Sequence, residues 1–409
     1  MKTYTKDFYL VVAGQIISIL GASLLRFALS LYVLDTTGRA DLFATLSAIS
    51  YIPRLLMPLG GAMADRFNRR DLMVIYDFSS SAIVLCLFML MTYGNLSIIA
   101  VGTVMVLLSI ISSMYTPAVN ASVPLLVSHE KIENANGIVI AVQAISDVAA
   151  PILGGILYEA ISVSALVVIS SAAFFSSAVM EVFIRIPFIK KSKERNIVRI
   201  ILKDLKDGFI YVVKEPFILR ATILAALLNL ILAPLLFVGA PIILRVSLKS
   251  TETMYGIGMS AISFAAVLGA LIVGTLVKKL KISAVYRWLI IAAVLILPVA
   301  FSVMPLMPKL GYYPRFTMFL LGIIPISMIL TLLSVFAISK VQKETSNENL
   351  GKVMAIIFAA ANCTSPVGQV IYGAVFENFK TNVWIPVLAI GAVLFLAAIA
   401  TQRILKNEQ

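Results

Sequence analysis

Charged side chains inside long apolar runs are the residues of this sequence best placed to do chemistry. Arg26, Arg54 and Asp147 each lie well within such a run, where an ionised group at the centre of a bilayer costs about 2.5 to 3.5 kcal/mol on the mildest scale. Groups kept at that cost pair with one another or face water, where they handle substrate or protons. Asp147 is the acidic residue placed nearest the middle of a run, which makes it the candidate proton carrier: a carboxyl whose hydration changes as helices rock gains and loses a proton. Arg54 lies at a similar depth, and two accounts fit it. It approaches and leaves the carboxylate during a transport cycle, or it forms a permanent Arg54–Asp147 salt bridge that fixes packing. Arg26, Arg54, Gln143, Tyr115, Asn229 and Asn362 are the candidate substrate-cavity residues, with helix-to-helix hydrogen bonding as the competing role for the amides. Asp77, nearer the end of its run, is expected to partner the basic turn before it, and Glu181 and Arg185, at i and i+4, to form an interfacial pair.

Other chemistries find no residues to perform them. His129 is the one histidine, and Cys86 and Cys363 both fall in apolar runs, so neither a metal centre nor a disulfide framework is expected. No nucleophile stands beside a base, and no nucleotide-binding loop occurs, so the sequence predicts a non-enzyme without cofactors, driven by an ion gradient or by the substrate gradient itself.

The elements that position these residues follow from composition. The chain has 409 residues, 60% hydrophobic and 13% charged, with a mean hydropathy of +1.01; soluble globules carry about a quarter charged residues. It is read as an all-α polytopic membrane protein. Apolar segments at 8–33, 41–64, 72–93, 96–119, 135–159, 162–186, 217–244, 255–277, 284–304, 316–337, 351–376 and 383–402 are each long enough, at about 1.5 Å per helical residue, to cross about 30 Å of hydrocarbon. The net charge of +13 sits mostly in short loops on the side of both termini, while the opposite loops carry only Arg39, Arg245, Lys249, Lys309, Arg315 and Lys380. That bias predicts cytoplasmic termini in a cell membrane and excludes a nucleic-acid reading.

Internal similarity divides the chain in two. Gly274-x-x-x-Lys278 stands to Gly61-x-x-x-Asp65 as Glu348-Asn349 stands to Glu133-Asn134 and Pro366 to Pro151, at near-equal offsets. The expected fold is therefore twelve transmembrane helices as two pseudo-symmetric six-helix bundles, 1–186 and 217–409. Between them, 187–216 carries Lys190, Lys191, Lys193 and Arg195, then Ile197, Ile201, Leu205 and Phe209 at helical spacing, and reads as a basic amphipathic linker helix on the membrane surface.

Two motifs carry a family resemblance. The turn Gly60-Gly61-Ala-Met-Ala-Asp65-Arg66-Phe-Asn-Arg69-Arg70 resembles the signature between the second and third helices of the major facilitator superfamily, Gly-x-x-x-Asp-Arg-x-x-Arg-Arg/Lys. Its glycines are expected to let a helix end lie close to a neighbour, and Gly61, Asp65, Arg66, Arg69 and Arg70 to form a charged conformational latch. Gly137, Ser146, Ala150, Pro151, Gly154 and Gly155 in the fifth segment resemble the superfamily's antiporter signature, with Ser146 and Ala150 in place of two glycines. Small residues there are expected to make a close-packed seam beside a proline bend.

The stretch from Tyr115 through Val127 is similar to the fourth-helix end of the macrolide-efflux and enterobactin-exporter-like facilitators. The arginine that many antiporters carry in helix four is missing from Met105–Ser109, so its proton-relay role does not transfer. The resemblance implies a monomeric exporter of a bulky amphipathic, macrolide-like drug by proton antiport in contact with membrane lipid. Export of a siderophore or another anionic metabolite, or movement of a lysolipid, is the rival reading, favoured by two deep arginines against one aspartate. Methionines and aromatics such as Tyr32, Phe237, Phe264, Met328 and Phe358 suit an adaptable cavity.

Overall fold

The computed structural model describes residues 5–94, 96–187, 197–276 and 285–406. Twelve of its helices are long and apolar enough to cross a membrane, and no strand occurs among the described residues. The chain clusters into two compact units, one of Met1–Asp35 with Ile49–Ile201 and the other of Thr36–Ala48 with Leu202–Gln409. The segment Thr36–Ala48 thus packs with the later helices, although it precedes the expected boundary.

The first unit contains α1 (Lys6–Thr37), up to Asp35, and the end of α2 (Ala40–Tyr51) from Ile49. A tight turn at Ile52–Leu56, α3 (Met57–Arg66), α4 (Arg69–Thr92), α5 (Ile98–Leu126), α6 (Ile132–Ala160) and α7 (Val163–Val182) follow. The second apolar segment, expected as one helix, is broken in the middle. Pro53 lacks an amide hydrogen, and the backbone tightens into a 3₁₀ turn before α3 resumes. The helix α4 packs along α7 and α5, and α3 along α5. Small and hydroxyl side chains let these backbones approach. Ser81 Oγ donates to the Ser171 carbonyl and Ser171 Oγ to the Ser81 carbonyl, each at 3.0 Å.

The second unit holds α8 (Ile197–Lys214) from Leu202, then α9 (Pro216–Pro234), which continues through two wide π turns and the short α10 (Ala240–Ile242) to Ser247. It is completed by α11 (Glu252–Leu276), α12 (Val285–Ser302), α13 (Tyr312–Glu344), α14 (Asn347–Asn378) and α15 (Trp384–Lys406). The later part of the expected linker docks on this unit. A Cβ at Gly208 would lie 2.6 Å from the Lys352 carbonyl, Lys352 Nζ is 3.4 Å from Asp207 Oδ2, and Val212 joins a core with Ile218, Val353 and Ile357. Lys190, Lys191, Lys193, Arg195 and Lys278 lie outside the described residues. Within the same unit the Ala40 amide donates to Glu377 Oε2 at 2.9 Å.

Candidate functional site

Three of the charged groups singled out by depth come together in the first unit. Arg26 is accessible on a stretch of α1 whose neighbours Leu24, Leu25, Phe27, Ala28 and Leu29 are all buried, so its guanidinium is set among packed side chains. Arg54, Tyr51 and Asp147 all lie near enough to act on its charge. The Pro53 turn places Arg54, whose guanidinium carbon sits 4.1 Å from the centroid of the Tyr51 ring, a cation–π contact. On α6, Gln143 Nε2 donates to Asp147 Oδ1 at 3.0 Å. Both residues are exposed, and at 3.6 residues per turn they fall on the side of α6 opposite the exposed apolar stripe Ile145, Ile152 and Ile156. That stripe suits lipid, while the opposite edge, which also exposes Ile140, is amphipathic. Among the described residues no ion pair joins Asp147 to Arg54 or Arg26. The permanent Arg54–Asp147 bridge is therefore not formed, and the site offers two cations, one carboxylate, an amide and a phenol to a ligand.

The turn after α3 is charged but only partly a clasp. Asp65, 62% exposed at its side chain, is 3.6 Å from Arg69, which is 19% exposed, and Arg69 Nε donates to the Ala64 carbonyl at 3.0 Å. Arg70 does more. Its guanidinium donates to the Val182 carbonyl at the C-terminal end of α7, where free carbonyls and the helix dipole both favour a cation. Arg66 lies within the last turn of α3. The expected close approach belongs to Gly60 and not to Gly61: a Cβ at Gly60 would fall 2.8 Å from the Ser113 carbonyl and 2.9 Å from Met114 Cα, whereas one at Gly61 meets nothing within 4 Å.

The small residues of α6 divide similarly. Ser146, Ala150, Gly154 and Gly155 are buried, and a Cβ at Gly154 would come 2.6 Å from Phe27 Cδ1, so the seam is formed against an aromatic side chain of α1. Gly137 is exposed, a Cβ there would meet nothing within 4 Å, and the residue stands on the other side of the helix from Ser146. Pro151 lies inside a helix that remains continuous.

A second polar cluster, which depth along the chain does not reveal, is closed off within the same unit. Asp77 and Glu181 are buried, at 2% and 0% exposure. Asp77 accepts a hydrogen bond from Ser18 Oγ at 2.9 Å, and Glu181 accepts one from the Tyr115 hydroxyl at 2.8 Å. Three expectations are corrected here. Asp77 does not pair with the basic turn. Glu181 does not pair with Arg185, because α7 ends at Val182 and the i+4 geometry is lost; the Arg185 amide donates instead to Asp7 Oδ1 at 3.1 Å. Tyr115 does not line an open cavity. The signal available in the sequence is that Asp77 has no basic residue one helical turn away on its own helix.

In the second unit Asn229 bonds its own helix, donating from Nδ2 to the Ala225 carbonyl at 3.0 Å. Asn362 is half-buried on α14. Among the described residues no group of three or more His, Cys, Asp and Glu is placed to hold a metal ion.

Comparison with known proteins bears on the whole of this arrangement. The chain is 24% identical over 405 residues to macrolide efflux protein A of Streptococcus pyogenes, covering 97% of this chain and 95% of that one. It is 23% identical to the transporter YvqJ of Bacillus subtilis over 97% of this chain and 91% of the relative. Among solved structures, the nucleoside transporter NupG matches with a TM-score of 0.76 at 15% identity, covering 98% of this chain and 100% of that one. A bacterial homologue of the iron transporter ferroportin, in an inward-facing state, matches with a TM-score of 0.71 at 18% identity over 98% and 100% of the two chains. The model of the Major Facilitator Superfamily matches residues 11–347, and with twelve helices long and apolar enough to cross a membrane the chain belongs to that superfamily.

Proposed function

We propose that this protein exports a bulky amphipathic compound, drug- or macrolide-like, by alternating access coupled to proton entry. It would act as a monomer in the cell membrane, with both termini cytoplasmic and its apolar faces in lipid. The observation that carries the reading is the open cluster of Arg26, Arg54, Tyr51, Gln143 and Asp147, in a chain matched along nearly its whole length by a macrolide efflux protein. Gln143 and the Tyr51 ring offer a ligand hydrogen bonding and a flat apolar face, while Asp147 offers a carboxylate to a proton or to a cationic group on the ligand. Because Asp147 is held by an amide and not by an arginine, it is free to exchange its partner. The turn at Gly61, Asp65, Arg66, Arg69 and Arg70 would latch one conformation, and the Ser146–Gly155 seam would limit leak.

The two arginines support a second reading, export of an anionic metabolite, siderophore or lysolipid, since the cluster carries one more cation than anion. Transport by the purified protein in vesicles, with and without a protonophore, tests both. Gradient-driven movement of macrolides that the protonophore abolishes supports the first reading. Movement confined to anionic compounds supports the second, and equal transport with the protonophore removes proton coupling.

A further inference from the structure

The closed cluster around Asp77 and Glu181 has no place in the open site just described, yet it is the more unusual arrangement. Four helices supply it: Gly14 and Ser18 from α1, Asp77 from α4, Tyr115 from α5, and Ser177 and Glu181 from α7. The two carboxyls lie near enough to act on one another electrostatically. Ser177, whose hydroxyl donates to the Gly14 carbonyl at 2.9 Å, lies against both the Asp77 carboxyl and the Tyr115 hydroxyl. A Cβ at Gly14 would meet Ser177 Oγ at 3.2 Å and Glu181 Cγ at 3.6 Å, so α1 seals the cluster with bare backbone.

Each carboxyl is half satisfied. Asp77 Oδ1 and Glu181 Oε1 each receive one hydrogen bond, while Asp77 Oδ2 and Glu181 Oε2 are buried with no partner. Among the described residues no cation pairs with either. Tyr115 is the other titratable group facing them, and Arg70 ends its reach at the Val182 carbonyl, one residue beyond Glu181. On the side of Tyr115 the cluster abuts an apolar core of Phe8, Met73, Ala118 and Val119. Two like charges near enough to repel in such a medium, without a counter-ion and with two acceptors idle, form an arrangement that one added proton relieves. Protonation of one free oxygen removes one of the two charges and one of the two idle acceptors, and the pair then carries a single negative charge.

We propose that Asp77 and Glu181 form a buried proton-binding pair, distinct from Asp147, that takes up a proton from water when the surrounding helices open and returns it when they open to the other side. The proton binding stands on the cluster alone; its part in the transport cycle rests on the antiport reading above.

Infrared difference spectra of the full chain in lipid, taken across pH, read the protonated-carboxyl C=O band directly. Asp147→Asn serves as parent, so that the open carboxyl contributes nothing. The expected result is a titrating band that Glu181→Gln and Asp77→Asn each remove or displace, and that Tyr115→Phe, which keeps both acids and removes only a hydrogen-bond donor, shifts in frequency. A band unchanged by all three overturns the pair, as does a band lost on adding sodium at fixed pH, which would make the cluster a metal-cation site. Gradient-driven transport in the native protein and in Tyr115→Phe separates the two claims. If the native protein ignores a protonophore while the band still responds to the variants, the antiport reading fails and the proton-binding pair stands.

Discussion

Arg70 and Val182 join the turn after α3 to the far end of α7: the guanidinium of one donates to the carbonyl of the other. A cation on a helix C-terminus satisfies a carbonyl left free by the helix and complements its dipole. Replacing Arg70 by Ala is therefore expected to lower the stability of the purified protein by about 1 to 2 kcal/mol, visible as a lower midpoint of thermal unfolding. Arg70→Lys, which keeps charge but loses the fork, should fall between the two. An Arg70→Ala protein as stable as the parent would mean that water serves that carbonyl equally well.

Asp65 behaves differently, because its partner Arg69 is on the same turn and its own side chain is mostly in solvent. An exposed pair of this kind contributes under about 1 kcal/mol, so Asp65→Asn should fold and insert normally. If the turn latches one conformation, the same variant loses most of its transport rate in vesicles. Full transport at normal expression would leave the charges with a topological role alone.

Gly154 faces Phe27, and even one methyl group intrudes on the ring. Gly154→Ala is expected to destabilise by about 1 to 3 kcal/mol through overpacking. Combining it with Phe27→Leu, which removes the opposing ring edge, should recover part of that loss; two changes that simply add would show that the strain lies elsewhere.

Asp147 has an amide partner and no ion pair, so Asp147→Asn leaves no arginine newly stranded by loss of a bridge. Normal expression and retained substrate binding are expected, with loss of pH-gradient-driven transport. Poor folding rescued by neutralising Arg54 would restore the salt-bridge account, and unchanged driven transport would remove Asp147 from the coupling step.

How far the sequence can be read depends on which coordinate a question concerns. Depth along a helix follows from counting residues between charged turns, and it brings Arg54 and Asp147 to one level, with Arg26 in the outer half of its helix, before any packing is known. Direction around a helix does not follow so simply, since each residue turns the side chain by about 100°. Gly60 and Gly61 differ by that one step, and only the first lies against a neighbouring backbone. Motif spacing groups Gly137 with Ser146, but the same spacing carries it to the opposite face. Asp77 and Glu181 escape a local reading for a related reason. Their surroundings are built by α1 and α5, and no pattern on α4 or α7 records what those helices bring. The break at Pro53 is visible as a residue but not as a bend, because membrane helices often carry proline without losing continuity.

The reciprocal hydrogen bonds between Ser81 and Ser171 and the bond from Arg70 to Val182 fasten α4 to α7 at two levels, running in opposite directions. Sliding one helix past the other by a single residue would break all three contacts together. The two helices therefore form a strut of fixed register, and Asp77 is carried on it between the fasteners while Glu181 sits at its lower one. The offset between the two acids along the strut is accordingly set by these side-chain-to-backbone bonds. An Asp77→Glu change would bring an extra methylene into a buried site on helices of fixed register, so chemical conservatism at that position gives no protection against misfit.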